Sequence, residues 1–259
     1  MLLSPLILYW QFNLFSETFF IALSLIYLSI LLAPKSSHRF FKISLLSILV
    51  MLSRPSGIFI VMIAVLLYLY QNKLIPKKVM VYGAVYIGII LMIAIVFFMP
   101  LPYYDFSFQI ASGAVYYGFP TLNATTLPVN TYTLWQCYNY IYDTYGLFEL
   151  VQLFVKKGLS FFITSRPYYS TFHNVLNRAH DIFYVLGIMG IYTAYKFKKQ
   201  WLPLLIALLF IVILNALMVS LTYNEWSERY IVQVFPYIFV GGAYTISLLF
   251  EKFKRYKIA

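Results

Sequence analysis

A chain of 259 residues that is 62% hydrophobic and only 10% charged lies far from soluble domains, in which about 25% of residues are charged. Its mean hydropathy of +0.80 points to a polytopic helical membrane protein. The net charge of +11 is not a nucleic-acid footprint, because the cations sit in short runs between apolar segments.

Most of the 19 Lys and Arg fall in four clusters, at 35–42, 73–78, 196–199 and 252–257, with Glu251 the one acid at their edge. The other acids, Glu17, Asp105, Asp143, Glu149, Asp181, Glu225 and Glu228, lie elsewhere. Basic flanks stay in the cytoplasm. The four clusters are therefore expected there, and the acid-containing segments outside. Cys137 is the sole cysteine, which excludes an internal disulfide. The first residues carry no basic run that would mark a cleavable signal peptide.

Seven membrane segments are expected in chain order. Residues 2–13 read as the end of a preceding helix, and 14–33 run inward. Residues 40–53 and 55–71 form a re-entering hairpin, because Lys35, Arg39 and Lys42 precede it and Lys73, Lys77 and Lys78 follow it. Arg54-Pro55 is its tip. Proline disfavours helix at the residue before it, and each arm is too short, at about 21–26 Å, to carry the tip far into water. Residues 79–99 cross outward, 179–197 return, 201–221 go out and 229–250 come back. The N-terminus is then outside and the C-terminus cytoplasmic, in one membrane domain. Its parts are the helices of 1–99, an outer segment over 100–178 and three late helices over 179–259. The outer segment is rich in tyrosine. Within it, 147–163 reads as an interfacial helix with Glu149, Gln152, Lys156 and Ser160 in a single polar stripe.

Polar residues gather at the outer ends of these segments. They are Ser16-Glu17, Arg54, Arg166-Pro167-Tyr168-Tyr169-Ser170 with His173-Asn174, and Glu225-Trp226-Ser227-Glu228-Arg229-Tyr230. Each has an ordinary reading beside a functional one. Glu17 suits a helix N-terminus, where the dipole favours an anion, or a carboxylate lining a site. Arg54 suits a snorkelling cation or a bidentate clamp on phosphate. Arg229 suits an ion pair with Glu225 or Glu228, or a phosphate contact. His173 suits a solvated loop or a catalytic role. Asn123-Ala124-Thr125 is a glycosylation sequon only in a eukaryotic secretory pathway. There is no P-loop, zinc-ligand spacing or Gly-x-Ser-x-Gly.

Three motifs in order carry a resemblance. Pro5 and Ser16-Glu17-Thr18 stand at a helix start, Ser53-Arg54-Pro55-Ser56-Gly57 between two short helices, and Glu228-Arg229-Tyr230 with Pro236 at the last helix. Together they resemble the GT-C superfamily of membrane glycosyltransferases, in particular the protein mannosyltransferase-like and aminoarabinose-transferase-like enzymes of bacterial envelopes. The stretch Arg166-Pro167-Tyr168-Tyr169-Ser170 with His173-Asn174 is similar to the outer segment that precedes the late helices of bacterial members.

The resemblance implies a bacterial inner-membrane enzyme. It would take a sugar from a polyprenyl-phosphate donor at the outer face and pass it to a glycan, lipid or protein acceptor by inverting displacement. A carboxylate would deprotonate the acceptor hydroxyl, and cations would stabilise the departing phosphate. Glu17 is then the catalytic or acceptor-side carboxylate. Arg54, Arg166, Tyr169, His173, Asn174, Glu228, Arg229 and Tyr230 bind substrate, with Arg54 and Arg229 on the phosphate. No metal-ligand set is legible, and the cofactor stays open, a divalent metal included. The family's principal carboxylate, in the first outer loop, has no counterpart here. The resemblance therefore implies a C-terminal part lacking that loop, a split gene product or a decayed copy.

Rival readings stand beside it. A polysaccharide polymerase or ligase acting on lipid-linked glycan also combines many helices with a tyrosine-rich outer loop. A flippase or transporter needs polar groups through the bilayer midplane, where 79–99 and 201–221 offer only Asn215. A non-catalytic membrane subunit is the third.

Overall fold

The computed structural model describes residues 16–32, 38–54, 56–98, 101, 104–116, 118–122, 133–166, 169–179, 181–197, 201–222 and 229–256. Regular structure among them is helical: α1 Ser16–Leu32, α2 Arg39–Ser53, α3 Gly57–Gln71, α4 Lys77–Phe98, α5 Tyr104–Ala111, α6 Leu134–Tyr145, α7 Leu147–Phe162, α8 Thr171–Arg178, α9 Asp181–Lys196, α10 Leu202–Leu221 and α11 Arg229–Tyr256. Three stretches are long and apolar enough to cross a membrane: Lys77–Phe98, Leu202–Leu221 and Ile231–Phe250. They identify a helical membrane protein. Thr18–Leu31 and Gly57–Gln71 are apolar but shorter. At 1.5 Å per residue, a 15-residue helix such as α3 spans about 22 Å, less than a ~30 Å core. Helix length alone thus carries three spans of the seven expected.

The chain divides into two compact units. The first holds 1–84, 165–213 and 232–259. Here α1 packs on α2 and α3, burying Phe20, Tyr27, Leu31, Val50, Phe59, Ile60 and Leu67. Arg39 is buried at the α1–α2 end; its guanidinium donates to the Leu31 carbonyl and lies 5.5 Å from the centre of the Tyr68 ring. The charge is thereby met by a carbonyl dipole and a π face in place of water. In the same unit α9 and α11 cross at glycines. A Cβ on Gly190 would lie 2.4 Å from the Gly241 carbonyl oxygen, so only glycine allows this approach. Thr245 Oγ1 then reaches Leu186 O at 2.8 Å.

The second unit holds 85–164 and 214–231. Leu101, Ile110, Leu134, Cys137, Tyr138, Ile141 and Leu153 form its core, drawn from α5, α6, α7 and Leu101. Thr133 opens α6 with a reciprocal capping box to Gln136. Gly146, at φ +90°, turns the chain from α6 into α7. Phe97 stacks on Trp135 at 4.8 Å, and the Tyr138 hydroxyl donates to the Leu221 carbonyl.

On helix α7 the stripe of Glu149, Gln152, Lys156 and Ser160 is unevenly buried along its length. Gln152 and Lys156 are bonded at 3.1 Å near the surface, but Ser160 is buried, together with Leu153, Lys157 and Phe161. Leu147, Phe148, Val151, Val155, Leu159 and Phe162 are the exposed side. Packing of Leu153 into the unit's core sets the rotation of the helix, and side chains about 100° away from the expected stripe are carried inward.

Candidate functional site

After α7 the chain is non-helical over 163–166, as the proline following Arg166 requires of that residue. Arg166 is 1% exposed, a buried guanidinium. Its backbone is held from both sides by one side chain. Arg166 N donates to Asn174 Oδ1 at 2.8 Å, and Asn174 Nδ2 donates to Arg166 O at 2.8 Å. The same Nδ2 lies 3.4 Å from Tyr169 O. An amide presents one acceptor and two donor hydrogens in a plane, so Asn174 acts as a clasp that ties Arg166 to α8. Arg166 Nη1 also donates to Ser165 O at 3.3 Å.

The helix carrying the clasp is started locally. Ser170 Oγ accepts from His173 N at 3.2 Å, which satisfies one of the orphan amides of α8. The Tyr169 and His173 rings are stacked, 4.1 Å apart and 3° from parallel. Four residues singled out by sequence, Arg166, Tyr169, His173 and Asn174, are therefore brought together within the first unit.

The Arg54 hairpin is the second cluster of that unit. Arg54 ends α2 with φ −159° and ψ 147°, the extended geometry that Pro55 dictates. Arg54 O accepts from Gly57 N at 2.9 Å, which closes the turn. A Cβ on Gly57 would sit 2.2 Å from Val50 O, so the glycine is what lets α3 start against the α2 backbone. Ser56 is buried, and its Oγ donates to Gln233 Oε1 at 2.9 Å. The hairpin tip is thus fastened to α11. Gln233 was not among the residues read from sequence. Its signal was a lone amide in an apolar membrane stretch, where a polar side chain needs a partner.

The remaining candidates are placed less far. Glu17 and Thr18 fall in the first turn of α1, and the Glu17 side chain lies outside what is described. Arg229 and Tyr230 open α11 within the second unit, again without described side chains. Glu228 lies outside the described residues, as do 2–13, Pro167 and Tyr168 and the sequon at Asn123. Among the described residues no three His, Cys, Asp or Glu side chains are grouped so as to hold a metal ion.

Chemically, the first unit offers two arginines at backbone positions fixed by specific hydrogen bonds, an imidazole stacked on a phenol, and a buried hydroxyl–amide pair. Guanidinium groups suit oxyanions through paired donors in one plane. No family model, no curated protein and no solved structure matches the chain.

Proposed function

We propose that the chain is a membrane glycosyltransferase, or the part of one, that receives a sugar from a polyprenyl-phosphate carrier at the outer membrane face and passes it to an envelope acceptor. The observation that carries this reading is the Asn174 clasp on Arg166. The clasp fixes the backbone of a buried arginine from both sides and so sets the point from which its guanidinium extends. A planar guanidinium is suited to the leaving phosphate of a lipid-linked donor. Arg54, held extended at the end of α2, supplies a second cation. Tyr169 and His173, stacked on each other, would contact sugar or carrier, and the resemblance adds Glu228, Arg229 and Tyr230 as donor-side residues. Glu17 acts on the acceptor side.

The reading carries a topology. The N-terminus is outside, the C-terminus is cytoplasmic, and α7 lies in the outer interface of a bacterial inner membrane. The apolar side that α7 exposes then rests among acyl chains.

The deciding experiment offers membranes containing the protein a series of labelled polyprenyl-phosphate sugars. Labelled product in lipid, glycan or protein fractions, lost on Arg166→Ala, is the expected result. Label that crosses the bilayer with no transfer would instead assign the chain to transport. Label that neither moves nor transfers would refute both readings.

A further inference from the structure

Helix α7 carries a lysine where a lysine is least expected. Lys157 is 0% exposed, and its Nζ has no hydrogen-bond partner. Its neighbours on the same face are Leu153 and Phe161, both buried, and Leu153 belongs to the apolar core of the second unit. The groups that could answer its charge fail to do so. On α6, Cys137 acts electrostatically on Lys157; its thiol is itself buried, makes a long contact to Ser107 O on α5, and is pushed up to about 12 by burial, so it stays a neutral thiol. Tyr138, next to it, has its hydroxyl committed to Leu221 O, and burial keeps that phenol neutral as well. On α7 itself Ser160 donates back to the Lys157 carbonyl at 2.7 Å, Glu149 is half-buried and Lys156 exposed. From α10 the nearest group to the adjacent Gly158 is the Ser220 hydroxyl, which does not titrate. On α6 Asp143 is exposed, and among the described side chains of the unit no Asp or Glu is buried; those of Asp105 on α5, Glu225 and Glu228 lie outside what is described.

We infer that α7 is a releasable helix: it docks in the second unit more tightly with Lys157 as the uncharged amine, and uptake of a proton at Nζ favours its departure. The other side of the helix makes departure feasible. Leu147, Phe148, Val151, Val155, Leu159 and Phe162 already face outward, at helical spacing. On the proposed interfacial placement of α7 these residues stay among acyl chains when the helix leaves, the bilayer can take up Leu153 and Phe161 as well, and Lys157 can extend its stem to the headgroups.

The sign follows from proton linkage. Burial lowers the docked amine to about 7 from its usual 10.5, whereas an undocked lysine keeps the usual value. Between these values the undocked form binds more protons, so docking weakens as pH falls from 10.5 toward 7 and weakens no further below 7.

The single cysteine of the chain is a native reporter, since Cys137 is buried in the core that α7 covers. The full chain in nanodiscs is labelled with a water-soluble maleimide from pH 9.5 to 6, beside Lys157→Met. The ratio of wild-type to variant rates removes the reagent's own pH dependence. That ratio should rise roughly tenfold per pH unit from pH 9.5 to about 7, then level off. Lys157→Arg, which keeps its charge at every pH, should label fast throughout. Hydrogen exchange of the 147–163 peptide, compared in the same way, reads α7 itself and keeps the test decisive if either variant fails to fold. A wild-type helix whose exchange, corrected for intrinsic rates, is independent of pH over this range would overturn the inference. So would wild-type and Lys157→Met ratios that stay constant.

Discussion

Ser56 and Gln233 stand 177 residues apart in the chain, yet Ser56 Oγ donates to Gln233 Oε1 at 2.9 Å with both side chains buried. The bond fixes the Arg54-bearing hairpin to the last helix. In an apolar surrounding such a pair matters more through what its loss exposes than through its own strength. Ser56→Ala should destabilise the detergent-solubilised protein by about 1–2 kcal/mol. Combined with Gln233→Leu, the loss should be smaller than the sum of the two, with a coupling of about 0.5–1.5 kcal/mol. Additive losses in thermal or denaturant unfolding would mean that the two residues act independently.

A second bond-for-shape relationship is the Asn174 clasp. Asn174→Ala removes both hydrogen bonds to the Arg166 backbone and leaves the guanidinium in place chemically. If Arg166 contacts the donor phosphate, turnover should fall by roughly tenfold or more, about 1.4 kcal/mol of lost positioning. Helix content should be unchanged. The informative comparison is Asn174→Ala alone against Asn174→Ala in an Arg166→Ala background, where the clasp has nothing left to position. Equal effects in both backgrounds would reduce Asn174 to a loop-stability residue.

Much of this architecture was legible in the sequence, and the reasons are physical. Apolar runs closed by Lys and Arg gave α1 to α4 and α9 to α11 within a few residues, because in lipid a helix is the one local way to satisfy every backbone amide. Ser-Arg-Pro-Ser-Gly read as a break, since Pro55 acts on Arg54 through local sterics. The rotation of α7 was not legible. Its polar residues fit a single stripe by spacing, but burial is decided by which side finds a partner, and Leu153 found the α5–α6 core. Lys157 went inward with it. Gln233 escaped for a related cause: its partner is remote in sequence, and only the closed hairpin brings Ser56 to it.

The glycine crossing of α9 and α11 gives a third prediction. Gly190→Ala puts a methyl group against the Gly241 carbonyl, which is backbone and cannot swing away. The helices must separate, at a cost of about 1–3 kcal/mol. Gly83→Ala is the control, since its new methyl meets only the end of the Leu66 side chain at 3.3 Å, and its effect should be within about 1 kcal/mol. Similar melting temperatures for the two variants would contradict the close approach.

Topology is checked directly. With Cys137 replaced by alanine, single cysteines are placed at Asn72, in the turn between α3 and α4, and at Asn123 in the segment before α6. An impermeant thiol reagent applied to intact cells should label Asn123→Cys alone, and both after permeabilisation. The expectation rests on the basic clusters around 73–78 and 196–199, since basic flanks tend to stay in the cytoplasm. Equal labelling in intact cells would overturn the proposed orientation.

Arg54 is the residue on which the proposed function leans hardest. Its backbone is extended at the end of α2, and its carbonyl is used in closing the turn to Gly57. The side chain therefore leaves a hydrogen-bonded turn, not a frayed helix end. A cation that only anchors the tip at the interface can be lysine, because a snorkelling ammonium reaches the same depth. A clamp on phosphate cannot, because lysine offers a point charge in place of a planar fork with paired donors. Arg54→Lys should leave membrane insertion and thermal stability unchanged. It should weaken use of the polyprenyl-phosphate donor by roughly tenfold, or about 1.4 kcal/mol, at the low end of what a charge-assisted hydrogen bond contributes. Donor saturation curves for the purified wild type and variant measure this. A rise in KM at constant kcat would place the lost contact in both ground and transition states, and a fall in kcat would place it on the leaving phosphate. Superimposable curves would leave Arg54 as an anchor, and the transferase reading would then rest on Arg166 and Asn174 alone.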